Sequence, residues 1–157
     1  MIPNINLENK NVNSFFYSVN NSLQNLFCSP YEFPIFVFMY IIFDTETTGL
    51  PKRWNAPLTD SENWPRCIQI AWQVHGERGG LISHEDYLVQ PDGFTVPYDA
   101  EKIHGISTAL AKEEGLPLAE VLSLFRAALE QAEFVGGHNV SFDLNIMGAE
   151  FLRLGDK

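Results

Sequence analysis

The sequence predicts an α/β fold, a mixed β-sheet flanked by helices, and three observations carry that prediction. Between residues 39 and 90, apolar runs of strand length alternate with turn signals. Beyond residue 99 the apolar positions recur at i, i+3 and i+4, the spacing of an amphipathic helix. A short run, Phe134-Val-Gly-Gly137, then breaks the helical pattern and returns the chain to the sheet.

Met39 to Phe43 is a continuous apolar run leading into Asp44, the pattern of a strand covered on both faces. A polar loop follows from Thr48 to Arg66 and contains Pro51, Pro57 and Pro65. Cys67 to His75 reads as a second strand, Gly76 to Gly80 as a turn and Leu81 to Gln90 as a third strand, together an antiparallel meander. Asp99 to His104 reads as a short helix stopped by Gly105. Ser107 caps a second helix that Gly115 ends. Pro117 opens a longer one, because proline suits the first helical position. Its stripe is Leu118, Val121, Leu122, Phe125, Ala128, Leu129 and Ala132. The strand at Phe134 is expected to run parallel to the first. The last helix starts near Asn139 or Ser141, with Leu144, Met147, Phe151 and Leu154 facing the core.

Composition narrows the classes. The 157 residues are 45 % apolar and 19 % charged, which excludes a disordered chain. No stretch reaches the roughly 18 apolar residues of a membrane span. Cys28 and Cys67 form no framework, so a reduced, cytoplasmic protein is expected. The net charge of −10 argues against broad electrostatic coating of nucleic acid. It leaves room for a small site that handles one phosphodiester through bound cations. No Walker loop, GxGxxG or GxSxG is present. Residues 1–38 hold 8 of the 12 asparagines, 6 of the 12 phenylalanines and only three charges, Glu8, Lys10 and Glu32. They are expected to be an extension outside the domain, disordered or not native, with the domain at 39–157. The chain stops just after the last helix, so the domain is expected to be incomplete at its C-terminus.

The chemistry sits at the end of the first strand. Side chains at i and i+2 of a strand point the same way, so Asp44 and Glu46 converge while Thr45 faces away. Two carboxylates about 4 Å apart repel by roughly 4 kcal/mol at an effective dielectric of 20. A cation or protonation of one acid relieves that cost. Oxygen-only ligands favour Mg²⁺ or Mn²⁺ over Zn²⁺. Thr47, Thr48, Gly49 and Leu50 follow, and Gly49 permits a sharp turn whose amides approach a ligand closely. Asp143 lies in the first turn of the last helix, a place for a third acid, although an acid there also stabilises a helix N-terminus by itself. Trp54 and Trp64, with Lys52, Arg53 and Arg66, stand in the loop after the acids, where base stacking and a solvated loop are both open readings.

These residues resemble a family. Phe43-Asp-Thr-Glu-Thr-Thr-Gly-Leu50 is similar to the first motif of the DEDD 3′–5′ exonucleases, and His138-Asn-Val-Ser-Phe-Asp143 to their second. Ile103-His-Gly-Ile-Ser107 resembles a segment of the proofreading, epsilon-type branch. The resemblance covers 39–157 and implies a ribonuclease H-like fold. It points to the proofreading exonuclease of bacterial DNA polymerase III, as a separate subunit or fused to the polymerase. It implies that Asp44, Glu46 and Asp143 are catalytic and hold two ions, Mg²⁺ or Mn²⁺. Thr45, Thr48, Gly49, Leu50, His104 and Asn139 would contact the substrate, a single-stranded or frayed DNA 3′ end. The family's third motif supplies a fourth acid and a His or Tyr base. Nothing after Asp143 matches it, so this chain alone is expected to be inactive. An RNA-trimming exonuclease of the same family and an inactive nucleotide- or partner-binding remnant are the alternatives.

Overall fold

The computed structural model of the chain describes residues 16–18 and 38–155. Nine elements follow in order: β1 (Phe16–Ser18), β2 (Met39–Thr47), β3 (Cys67–Gly76), β4 (Leu81–Leu88), α1 (Tyr98–His104), α2 (Thr108–Glu114), α3 (Leu118–Gln131), β5 (Phe134–Gly136) and α4 (Val140–Arg153). The sheet order is β1-β5-β2-β3-β4. β2, β3 and β4 form the expected antiparallel meander, and β5 lies parallel to β2. The sheet is therefore mixed, as the sequence predicts. Of the segment that composition sets apart, the backbone of β1 pairs antiparallel with β5. The rest of residues 1–37, Cys28 among them, lies outside the described residues.

Local chemistry places the helices as the sequence implies. Gly105 stops α1 in the left-handed region at φ 79°. The Ser107 hydroxyl accepts from the Leu110 N–H and caps α2. Pro117 stands at the N-cap of α3, one position before the expected one. Asn139 precedes α4 as its N-cap residue.

The main core lies between α3, α4 and one face of the sheet. Phe43 packs on Phe125 at 4.9 Å between ring centroids, and Trp72 on Phe125 at 5.4 Å. A second cluster of Ile68, Val96, Ala100, Ile106 and Ala111 holds α1 and α2 to the sheet.

Two expectations are corrected here. The apolar run of β2 is not covered on both faces by the described residues: Ile41, Phe43, Thr45 and Thr47 are buried, while Ile42 is 41 % exposed and Asp44 is open. Both long helices lie on the same side, and a continuous apolar run cannot register which side that is. The α4 stripe ends at Phe151, because Leu154 stands beyond the helix and is 47 % exposed.

Candidate active site

Alternation along β2 sorts the predicted acids. Asp44 and Glu46 project to the open face, Asp44 exposed and Glu46 half-buried. Beside Glu46 the β2–β3 register shifts: Glu46 pairs with Gln69 and Thr47 with Cys67, leaving Ile68 as the extra residue. Such a bulge bends the strand and re-aims the side chains next to it.

Thr45 faces inward and meets α4. Its backbone N–H and its hydroxyl both donate to Asp143 Oδ1, at 3.1 and 2.7 Å. Asp143 is 1 % exposed. Burial is the largest influence on its carboxyl and lifts it to about 6; the Thr45 bonds oppose the rise, and the charge of Asp44 adds to it. Asp143 thus senses Asp44 electrostatically but is held by Thr45. The second motif reaches the strand because of Gly137. A Cβ there would stand 2.6 Å from the Phe43 carbonyl oxygen, so only glycine allows this close approach.

The turn after β2 is fixed by its own hydroxyls. Thr47 Oγ1 donates to the Gly49 carbonyl at 2.7 Å. Thr48 pairs twice with Arg66, its N–H to the Arg66 carbonyl at 3.0 Å and its Oγ1 accepting from the Arg66 N–H at 2.9 Å. Gly49 has φ 144°, which disfavours any side chain. Leu50 is then held out, 73 % exposed.

Two of the remaining predicted site residues, His104 and Asn139, are less committed. The His104 Nδ1 accepts from the Ile106 N–H at 3.0 Å, which leaves Nε2 as the protonated nitrogen, buried and without a partner. The Asn139 side chain makes no capping bond; its carbonyl accepts from the N–H groups of Phe142 and Asp143. Trp64 is a core residue, 3 % exposed, with its indole donating to the Pro57 carbonyl. A groove of about 670 Å³ runs over the open face beside Asp44, with His84, Asp86 and His138 on its walls.

Sequence reasoning missed Glu150. Its side chain is fully buried and accepts from the Cys67 N–H at 2.8 Å and from Arg66 Nε at 2.9 Å, with Arg153 Nη1 at 3.1 Å. Through Arg66 it ties α4 to the turn that carries Thr48. The signal was present: Asp143 and Glu150 lie seven residues apart, so both acids fall on the buried side of one helix.

The donor chemistry suits a hard divalent ion. All three acids offer oxygen, Asp44 and Glu46 share one open face, and the rise at Asp143 is in part an unrelieved repulsion from Asp44 that a cation would cancel. Among the described residues, no three His, Cys, Asp or Glu side chains gather into one ligand group. Asp44 and Glu46 form a pair, and Asp143 stands beside it, engaged by Thr45.

The pattern of the Exonuclease (RNase_T) family matches residues 41–157. The PolC-type DNA polymerase III of Pediococcus pentosaceus is 31 % identical over 116 residues, covering 74 % of this chain and 7 % of the relative. A DNA polymerase III subunit epsilon-like protein of Rhodobacter capsulatus is 33 % identical over 126 residues, covering 79 % of this chain and 16 % of the relative. The chain thus spans less than a fifth of the length of these curated relatives. E. coli Exonuclease I in complex with a dT13 oligonucleotide has a similar fold, with a TM-score of 0.60 at 21 % identity over 74 % of this chain and 24 % of that one.

Proposed function

This chain belongs to the Exonuclease (RNase_T) family, and on that footing we propose that it is a divalent-metal-dependent 3′–5′ exonuclease domain acting on DNA ends. The observation that carries the reading is the arrangement of Asp44 and Glu46 on one open face with Asp143 close enough to feel the charge of Asp44. Asp44 and Glu46 would hold Mg²⁺ or Mn²⁺ directly, and Asp143 would hold a second ion from its place beside Thr45. When bound, two such ions supply a nucleophilic water at neutral pH and stabilise the attacking and leaving oxygens of the phosphodiester.

The protein's own part is positioning. Thr45 fixes Oδ1 of Asp143 with two hydrogen bonds and so sets the direction of its carboxylate. Gly49 shapes the turn that follows the acids, and the exposed Leu50 would press on the terminal base. His104 and Asn139 complete the proposed substrate contacts. The polymerase III relatives favour a proofreading role beside, or fused to, a DNA polymerase III catalytic subunit. Among the described residues nothing matches the third motif, so we expect slow cleavage by this chain alone.

Metal binding is accordingly the direct test. Calorimetric titration with Mn²⁺ should show binding that thymidine 5′-monophosphate tightens, and Asp44→Ala should abolish it. Unchanged binding in the variant would remove Asp44 from the site. Degradation of matched single-stranded DNA and RNA then separates proofreading from RNA trimming; equal or faster RNA cleavage counts against proofreading.

A further inference from the structure

We propose that the loop between β2 and β3 is the strand-holding surface of this chain, with Trp54 as a stacking platform for a nucleic-acid base. This rests on the exonuclease reading above and adds to it a binding element outside the acidic site. Trp54 is 59 % exposed, yet it is not loose. Its ring lies against Phe142 at 5.8 Å between centroids, and Phe142 immediately precedes Asp143. The two rings are tilted at 53°, so the indole is braced beside the second motif while most of it is offered to solvent.

The loop that presents it is clipped from below. Asn63, 4 % exposed, accepts from the Arg53 N–H at 2.8 Å and donates to the Arg53 carbonyl at 3.0 Å. The Lys52 N–H donates to the Asn63 carbonyl at 3.1 Å, and Arg53 pairs with Asp60 at 3.0 Å. A large aromatic held out on an ordered loop has already lost much of its freedom, so stacking a base on it costs little further entropy.

Charge on the same loop matches a phosphate backbone. A groove of about 590 Å³ is lined by Thr48, Leu50 and Lys52 of the same loop and by Arg66, Phe94 and Arg153. Arg66 Cζ lies over Phe94, 4.3 Å from the ring centroid. Three basic side chains and Glu62 line it; Arg66 and Arg153 pair with the buried Glu150, and Lys52 is the third cation, in a protein of net charge −10. An exposed aromatic and cationic side chains on one ordered loop are the combination that single strands use: the cations follow the backbone and the ring accepts any base.

The test is equilibrium binding of fluorescent phosphorothioate octathymidylate, which resists cleavage, in Mg²⁺ buffer, with octauridylate as a parallel probe. Trp54→Ala should raise the Kd by about fivefold or more, Trp54→Phe should restore most of the affinity, and Lys52→Glu should weaken binding and flatten its salt dependence. Mn²⁺ binding by Trp54→Ala should match wild type. Weakening on either probe upholds the platform, and the tighter probe identifies the strand. If the wild type binds Mn²⁺ and oligonucleotide while Trp54→Ala and Lys52→Glu bind both as well as wild type, the loop proposal falls and the metal site stands. If Trp54→Ala loses Mn²⁺ binding, Trp54 is a structural residue and the proposal falls. If the wild type binds no oligonucleotide, the loop proposal falls as well, and Mn²⁺ binding then decides the exonuclease reading separately.

Discussion

Asp143→Asn should stabilise the metal-free protein at neutral pH, although it removes an acid expected to hold metal. The Asp143 carboxyl rises from 3.8 to about 6 on folding, chiefly through burial. A rise of about two pH units corresponds to ~3 kcal/mol. The sign follows from proton uptake. Below pH ~4 the carboxyl is protonated in both states and contributes nothing. Between pH ~4 and ~6 the unfolded chain releases the proton while the folded chain retains it, so stability falls as pH rises. Above pH ~6 both states are ionised and the full cost remains. Asparagine keeps the Oδ1 acceptor for both Thr45 donors and carries no charge to bury. Urea unfolding in EDTA at pH 4 and pH 7.5 reads this directly. The variant should come within ~0.6 kcal/mol of wild type at pH 4 and exceed it by up to ~3 kcal/mol at pH 7.5. A variant equal to or weaker than wild type at pH 7.5 would refute the argument, as would a difference that does not change with pH.

Other perturbations probe the supports of the site. Gly137→Ala forces a methyl against the Phe43 carbonyl and should cost about 1–3 kcal/mol of stability in urea unfolding, with weakened Mn²⁺ binding because Asp44 is the next residue. Glu150→Ala leaves Arg66, Arg153 and the Cys67 N–H without their shared acceptor; a loss of about 3–5 kcal/mol is expected by chemical denaturation. Asp44→Asn lies on the open face and should change the urea midpoint little, within about 0.5 kcal/mol, which separates its effect on metal binding from any effect on folding.

The fold was largely legible because its signals are local. The Asp44–Glu46 pair needs only strand alternation, Ser107 and Gly105 need only helix-end chemistry, and the α3 stripe needs only its period. What escaped depends on tertiary packing. That β2 is open on one side among the described residues depends on where α3 and α4 both settle. Register alone hides the bulge beside Glu46, since nothing in Cys67-Ile-Gln69 marks the extra residue. Inward-facing Thr45 was legible, but its grip on Asp143 spans 98 residues of sequence. Glu150 is readable in principle as a charge on a buried stripe, but its partners Arg66 and Cys67 lie more than 80 residues away in sequence.

The measurement that bears most directly on the central claim is Mn²⁺ titration of wild type and Asp44→Ala, each with and without thymidine 5′-monophosphate. The account predicts binding by wild type, tighter with the nucleotide, and none by the variant, with both proteins equally folded. Binding that survives the loss of Asp44, or a folded wild type that takes up no ion, would contradict it.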